Sequence, residues 1–420
     1  MRMSFCAFAL ALCVVPFAAA QDYPMERAAA NELSAMCAQD GGRLWGADLC
    51  GPLLIVDAAT RGVWATQADS GGVLRPYGEG WVGVLPPSVG VANTTTEWSG
   101  VRWIMVVGPL PQDAVQRRVL VAHEAWHRVQ DRLGLAWEAS DCAHLESERG
   151  RYFMRLEMRA LAAAMRSRAA ARRRAAIDAL RFRAARLAAF ADARAQEAAL
   201  DRNEGLASYT GVRLGADEPD FFAARTLDQY DRHEALARAY AYATGPAYGL
   251  LLDDYAPGWR AHIDGHAPPD LLAAALRVRP ADARRLRRLA DRYGPNIASE
   301  ERARAEAQRA RIADLRRRFG DGPRLELPLA QMQFEFDPDR VTPVEGLGSV
   351  YARLVLRDRW GELVATEGAL IDTTFTRLVA ATPDPGGLTG PGWRLNLNPG
   401  FGLSGPDGDG VTRVVPLAQE

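Results

Sequence analysis

Apolar residues change their period twice along this chain. From about residue 50 to residue 108 they come in short alternating runs separated by turn residues: "LLIVD", "GVWATQA", "GVLRPYG", "WVGVLPP" and "GVRWIMVVG". Alternation of this kind predicts half-buried strands. A short helix, "ERAAANELSAMC", precedes them, and Pro109 and Pro111 close the stretch. From Asp113 to about Arg318 the apolar period becomes helical. Arg151–Arg202 contains neither proline nor glycine, and Phe153, Leu156, Leu161 and Met165 recur at helical steps, as do Ile177, Leu180, Leu187 and Phe190. The arginines between them predict solvated helical faces. A second block, Pro280–Phe319, has the same character. After Gly320 alternation returns in "QFEFD", "SVYARLVLRD", "GELVAT", "GALID" and "WRLNLN", with turn-rich "PDPGGLTGPG" and "SGPDGDG" between and after them. The chain therefore reads as α+β. A β-rich part spans 21–111, a helical part 112–320 with a helical insertion at 145–200, and a separate β domain 325–420.

Composition narrows the picture at the N-terminus. "MRMSFCAFALALCVVPFAAA" has a basic start, an apolar run and a small-residue ending, the pattern of a secretory signal cleaved after Ala20. No later segment is apolar enough to cross a bilayer. The expectation is an exported protein, periplasmic or extracellular, without stable membrane insertion after cleavage. Three cysteines then remain, Cys37, Cys50 and Cys142, and in an oxidising compartment the first two could close a short loop. The formal net charge of −1 gives no global field toward nucleic acid. All 51 basic residues are arginine, from which we draw no function.

One helical stretch carries chemistry. "VLVAHEAWHRVQ" spans Val119–Gln130. A helix turns about 100° per residue, so residues four apart lie about 40° apart on one face. His123 and His127 can point both imidazoles at one ion. Glu124 sits one step round, within reach of a water on that ion. The ion fitting this donor set is Zn²⁺, which is catalytic when an open coordination position remains. The nearby carboxylate then accepts a proton from the activated water. Val115, Val119, Ala122, Trp126, Val129 and Leu133 predict the buried stripe of this helix. A third protein ligand is required, and three downstream carboxylates are candidates. Glu148 lies in the charged run "LESERGR". Glu157 shares a face with Phe153 and Leu161, where a carboxylate needs either a metal or an arginine. Glu204 lies in "DRNEGLASYTG", where a helix restarts after a charged break.

"HEAWH" followed by "NEGLASY" resembles the gluzincin metallopeptidases. Thermolysin-like members carry the paired histidines and then Asn-Glu-Ala; aminopeptidase-N-like members carry Asn-Glu-Gly-Phe-Ala-x-Tyr. The resemblance implies a zincin-like catalytic domain, a peptide or protein substrate, and Glu204 as third ligand. "ANTTTEWSGVRWIMVVG" is similar to the strand before the zinc helix in thermolysin-like proteins. By that likeness Trp98–Val107 forms the cleft wall as an edge strand that pairs with substrate backbone. The match covers roughly Ala92–Tyr209 and departs from the pattern twice. Seventy-six residues separate His127 from Glu204, far more than the family's spacing, so the insertion has to loop out and return. Ser208 stands where thermolysin-like chains place an acid that orients a histidine, which puts that support elsewhere. Peptidases of this kind steady the oxyanion with a tyrosine or histidine. In "AYAYATGPAYGLLLD" Tyr242 and Tyr248 are candidates, Tyr242 the first choice, with His233 and His262 behind them. His144 reads as a surface residue, and His266 in "GHAPP" carries no chemistry.

The expected activity is zinc-dependent amide hydrolysis with Glu124 as general base. Two alternatives stand beside it: a structural or inactive zinc site in a periplasmic interaction protein that works through its β domain, and a zinc hydrolase of non-peptide amides.

Overall fold

The computed structural model describes residues 22–136, 138–337 and 340–417. The leader expected at 1–20 lies outside them. The chain divides into two compact units between Ala298 and Ser299.

The first unit opens with helix α1 (Pro24–Asp40), ended by Gly41 in the left-handed region. Among the described residues six strands follow: β1 (Leu53–Asp57), β2 (Gly62–Ala65), β3 (Arg75–Tyr77), β4 (Gly80–Val84), β5 (Thr94–Trp98) and β6 (Val101–Gly108). They form one sheet in the order β3-β4-β2-β1-β6-β5. Only β1 and β6 run parallel. Side chains alternate across the sheet. Ile104 and Val106 therefore face the helices with Leu53 and Ile55, while Trp103 and Met105 face a smaller core with Leu54 and Val56.

The single strand expected before the zinc helix is a hairpin, β5 and β6. It turns at Ser99 and Gly100, both at positive φ. The edge expectation for Trp98–Val107 is corrected accordingly. β6 is hydrogen-bonded on both sides, and the edge position falls to β5.

Helix α2 (Ala114–Gln130) starts at Asp113, whose carboxylate accepts a hydrogen bond from Gln116 N at 2.8 Å. A cap of this kind contributes about 1 kcal/mol. Its buried apolar face is Val121, Ala122, Ala125, Trp126 and Val129. Of the predicted stripe Ala122, Trp126 and Val129 are buried, Leu133 and Val119 are partly buried against the core, and Val115 and Val119 also line a cleft.

The expected looped-out insertion is an integral layer. Helices α3 (Glu148–Met165) and α4 (Ala169–Leu187) pack side by side, and α5 (Ala193–Leu200) leads into a π-helical turn, Asp201–Gly205, and then α6 (Leu206–Gly215). Met154, Leu156, Met158, Leu161 and Phe182 are fully buried in the main core. The solvated-arginine expectation holds for Arg166, Arg168, Arg173, Arg174 and Arg194, which are exposed, and fails for five others. Arg155, Arg172, Arg183 and Arg186 are buried against acids from other segments, and Arg151 is buried with its fork on the backbone carbonyls of His233 and Glu234. Helices α7 (Pro219–Tyr230), α8 (Leu236–Tyr255), α9 (Pro268–Leu276) and α10 (Ala283–Tyr293) complete the unit.

Glycines set two close approaches. A Cβ on Gly211 would lie 2.5 Å from the carbonyl oxygen of Val119, and one on Gly215 would lie 2.6 Å from Val119 N. On the other side of α6, Gly245 of α8 rests against the Gly205 backbone with no room for a side chain. Behind α2, Trp45 from the loop after α1 donates through its indole to Thr210 Oγ1 at 2.9 Å and packs on Trp126, Tyr209 and Trp259.

The second unit begins at Ser299, inside α11 (Ile297–Arg316), earlier than the expected boundary near 325. The reason is packing: Leu315 and Phe319 join Val344, Val350, Leu370 and Val379 in one core. A seven-stranded and a five-stranded sheet make up its β structure, and their facing sides share a core that includes Leu327, Leu356, Leu363 and Leu378. Among the described residues no helix is long and apolar enough to cross a membrane.

Two outcomes follow from these packing facts. Gly245→Ala should lower stability by about 1–3 kcal/mol, because backbone opposes the added methyl, and a thermal melt followed by circular dichroism measures it. Cys37 and Cys50 are free thiols whose sulfur atoms lie within 4.8 Å of each other. Mild oxidation should join them, shown by the loss of two titratable thiols and a stability gain of roughly 3 kcal/mol; Cys142, buried beside Ser140 Oγ at 3.3 Å, should stay reduced.

Candidate metal centre

Two elements converge on one point. α2 presents His123 and His127 four residues apart on one face. The π turn between α5 and α6 presents Glu204. His123 Nε2 and His127 Nε2 are 3.2 Å apart, and Glu204 Oε2 lies 3.3 Å from the first and 3.7 Å from the second. Donor atoms of all three lie within 4.8 Å of one another. A π turn adds a residue to the helical circuit, and such turns collect at functional sites. Here it delivers Asn203 and Glu204 without ending the helix, so the charged break expected at this point is a continuous, wider turn.

The surroundings orient every ligand. His123 Nδ1 lies 3.2 Å from Ser208 Oγ. Ser208 thus supplies the support that the sequence placed elsewhere: a hydroxyl substitutes for the acid at the same helical position. His127 Nδ1 lies 2.9 Å from Gln130 Oε1, Gln130 Nε2 donates to Asn203 Oδ1 at 3.0 Å, and Asn203 Nδ2 donates to Glu204 Oε1 at 2.9 Å. This relay runs from one ligand to another and fixes one carboxylate oxygen. The other, Glu204 Oε2, is buried without a hydrogen-bond partner and faces the imidazoles. Neither Gln130 nor its link to Asn203 was found from sequence. The available signal was the i, i+3 step from His127 on the same helix.

Charge is arranged around that orphaned oxygen. Burial works against the Glu204 carboxylate, but the two imidazoles prevail and hold it well below the usual carboxylate range. Burial likewise works against a charged His127, yet Glu204 and Glu124 raise its pKa. Burial pushes the Glu124 carboxyl up, against the pull of both histidines. Glu124 Oε1 sits 3.9 Å from His123 Nε2, and its Oε2 has no hydrogen-bond partner. A buried carboxylate in this state has capacity for a proton.

Tyr242 stacks on the His123 ring, with centroids 5.5 Å apart and planes 7° from parallel. Burial and the nearby Glu204 charge raise its pKa, which keeps the phenol protonated as a donor. All five residues open onto a cleft of about 750 Å³. Val115, Val119 and Leu120 of α2 and Phe221, Phe222 and Tyr230 of α7 line it, together with Asn93, just ahead of the edge strand. Asn93 Oδ1 accepts a hydrogen bond from Val107 N at 2.7 Å.

The other candidates lie elsewhere. Glu157 is fully buried among arginines: its carboxylate accepts from Tyr248 OH at 2.7 Å and pairs with Arg186 at 2.6 Å. The carboxylate on an apolar face thus found an arginine and not a metal, and the same contact removes Tyr248 from the site. Glu148 occupies the first turn of α3. His233 stacks on Tyr230, and His262 is exposed in a 3₁₀ turn. His144 is not a surface residue, since its imidazole is buried and meets Glu197 at 2.8 Å. His266 is exposed. No known protein family, curated protein or solved structure matches this chain.

The geometry separates the candidate ligands by experiment. His123→Ala and Glu204→Ala should abolish stoichiometric uptake of a divalent transition metal, read by elemental analysis of the purified protein. Glu157→Ala should keep the metal in whatever fraction folds, and should cost about 3–5 kcal/mol, because it leaves Arg186 buried without this partner.

Proposed function

We propose that this chain is a zinc-dependent hydrolase that cleaves amide bonds in peptides, acting after export. The observation that carries the reading is the convergence of His123, His127 and Glu204 within 4.8 Å at the floor of an open cleft, with the Glu124 carboxylate beside them. Two imidazoles and one carboxylate are a catalytic zinc donor set that leaves a position for solvent. The buried, unpartnered Glu204 Oε2 fits a cation, which would satisfy it. When bound, zinc lowers the pKa of a water and polarises a carbonyl oxygen.

The chain's own residues supply the rest. Glu124, raised by burial, takes a proton from the attacking water and returns it to the leaving amine. Tyr242 donates its phenolic proton in a hydrogen bond to the developing oxyanion. Ser208 and Gln130 hold the outer nitrogens of the two imidazoles, so that the inner nitrogens face the cleft. Val119, Leu120, Phe221 and Phe222 line the cleft and offer apolar contacts to the side chains of a peptide. A purely structural ion has no use for Glu124 or for the opening, which is why catalysis is favoured over the interaction-protein alternative. The apolar leader at 1–20 supports export.

The decisive test pairs metal content with turnover. Glu124→Gln should keep zinc and lose roughly 10²–10⁴-fold in hydrolysis of an unfolded, fluorescently labelled protein substrate. A zinc chelator should silence the parent enzyme, and added zinc should restore it. Undiminished turnover by Glu124→Gln, or by chelated parent, rejects the reading.

A further inference from the structure

The third ligand arrives on a turn that is anchored outside the cleft. Asp201 opens the π turn, and its carbonyl accepts the closing hydrogen bond from Leu206 N. Its side chain is buried and receives a hydrogen bond from Arg183 Nη2 of α4 at 2.6 Å. The same guanidinium pairs through Nη1 with Glu197 Oε2 of α5 at 2.9 Å. Glu197 is gripped again by Arg186, through Nε at 2.6 Å and Nη2 at 2.7 Å. Arg186 in turn reaches Glu157 of α3. One planar fork therefore spans the end of α5 and the start of the π turn, holding both against α4. On the opposite side Gly245 presses on Gly205. Glu204 lies between these two constraints.

We propose that Arg183 is a positioning residue for the metal site: by clamping Asp201 and Glu197 it sets the pitch of the π turn and so places Glu204 against His123 and His127. The inference rests on the metal reading above and assigns a task to the helical insertion. A guanidinium suits the task, because its donors are fixed in one plane and two acids can be held at a set spacing. Without the clamp, Asp201 is a buried acid with no cation, and the turn relaxes toward ordinary α pitch. That rotation moves Glu204 away from the histidines while the Gln130–Asn203 relay pulls it back. The site then binds metal with a misplaced third ligand.

The test uses the full chain with zinc and cobalt(II) as probes. Zinc affinity is read by chelator competition, and ligand geometry by the visible absorption of the cobalt form. Asp201→Asn and Arg183→Lys should weaken zinc binding roughly 10–100-fold and change the cobalt spectrum. Tyr248→Phe is the control: it frees Glu157 Oε1, which lies 3.8 Å from Arg183 Nη1, but leaves the Arg183–Asp201 hydrogen bond and the Arg183–Glu197 pair in place; its zinc affinity should stay within about two-fold of the parent. Folded Asp201→Asn with parent-like affinity and spectrum overturns the clamp alone, provided that parent zinc is lost in His123→Ala. Parent zinc that survives His123→Ala overturns the metal reading and the clamp with it. Should neither variant fold, hydrogen exchange of the parent decides. Zinc must then protect amides around 183–201 as well as those of α2, and protection confined to α2 and 203–209 overturns the proposal.

Discussion

Two helix backbones approach more closely than any side chain allows, and the centre exists because of it. Gly211 and Gly215 of α6 lie against the Val119 backbone of α2. This contact brings the Glu204 carboxylate, with seventy-six residues between it and His127, beside two imidazoles. Larger residues at either glycine would push the helices apart, and the Glu204 carboxylate would part from the two imidazoles. The same contact puts Ser208, one turn before Val212, beside the outer nitrogen of His123. Packing and coordination are therefore one constraint on this pair of helices.

Much of this was legible in the chain. The period-two runs marked β1 to β4 and β6, and the spacing of His123, Glu124 and His127 marked the working face of α2. Glu204 was reached through its likeness to a motif, and its carboxylate lies beside both imidazoles. The misreadings of the helical layer share one physical origin, the treatment of charge as a sign of solvent. Arginine-rich α3 and α4 looked like a decoration outside the core, yet their acids and arginines neutralise one another inside it. A single sequence shows that charges are present but not which distant charges meet. Glu157 and His144 were misplaced or left open for that reason. Ser208 was missed for another: a hydroxyl can orient an imidazole as a carboxylate does, and the pattern held only the carboxylate.

The absence of lysine takes on meaning inside this layer. A buried ammonium is a point charge that sheds its proton readily, whereas a guanidinium stays charged and grips two carboxylates in a plane. Arg183 and Arg186 each pair with two acids, hydrogen-bonding one and lying within ion-pair distance of the other. Removing one partner from such a cluster is far costlier than replacing the whole with apolar residues. The cluster is consequently an all-or-none arrangement, and its members are expected to change together or not at all.

That arrangement bears on how portable the chemistry is. The histidine pair and the Asn203–Glu204 segment resemble two short pieces that could be joined directly into a compact module. In this protein they are not separable from what lies between. Cutting out 145–200 would bring the pieces near in sequence and strip Asp201 of its cation and the core of Met154, Leu156 and Phe182. The smallest transplantable unit is nearly the whole first unit. Its insertion is part of the scaffold, and a short motif search finds the reacting groups while missing the part that makes them a site.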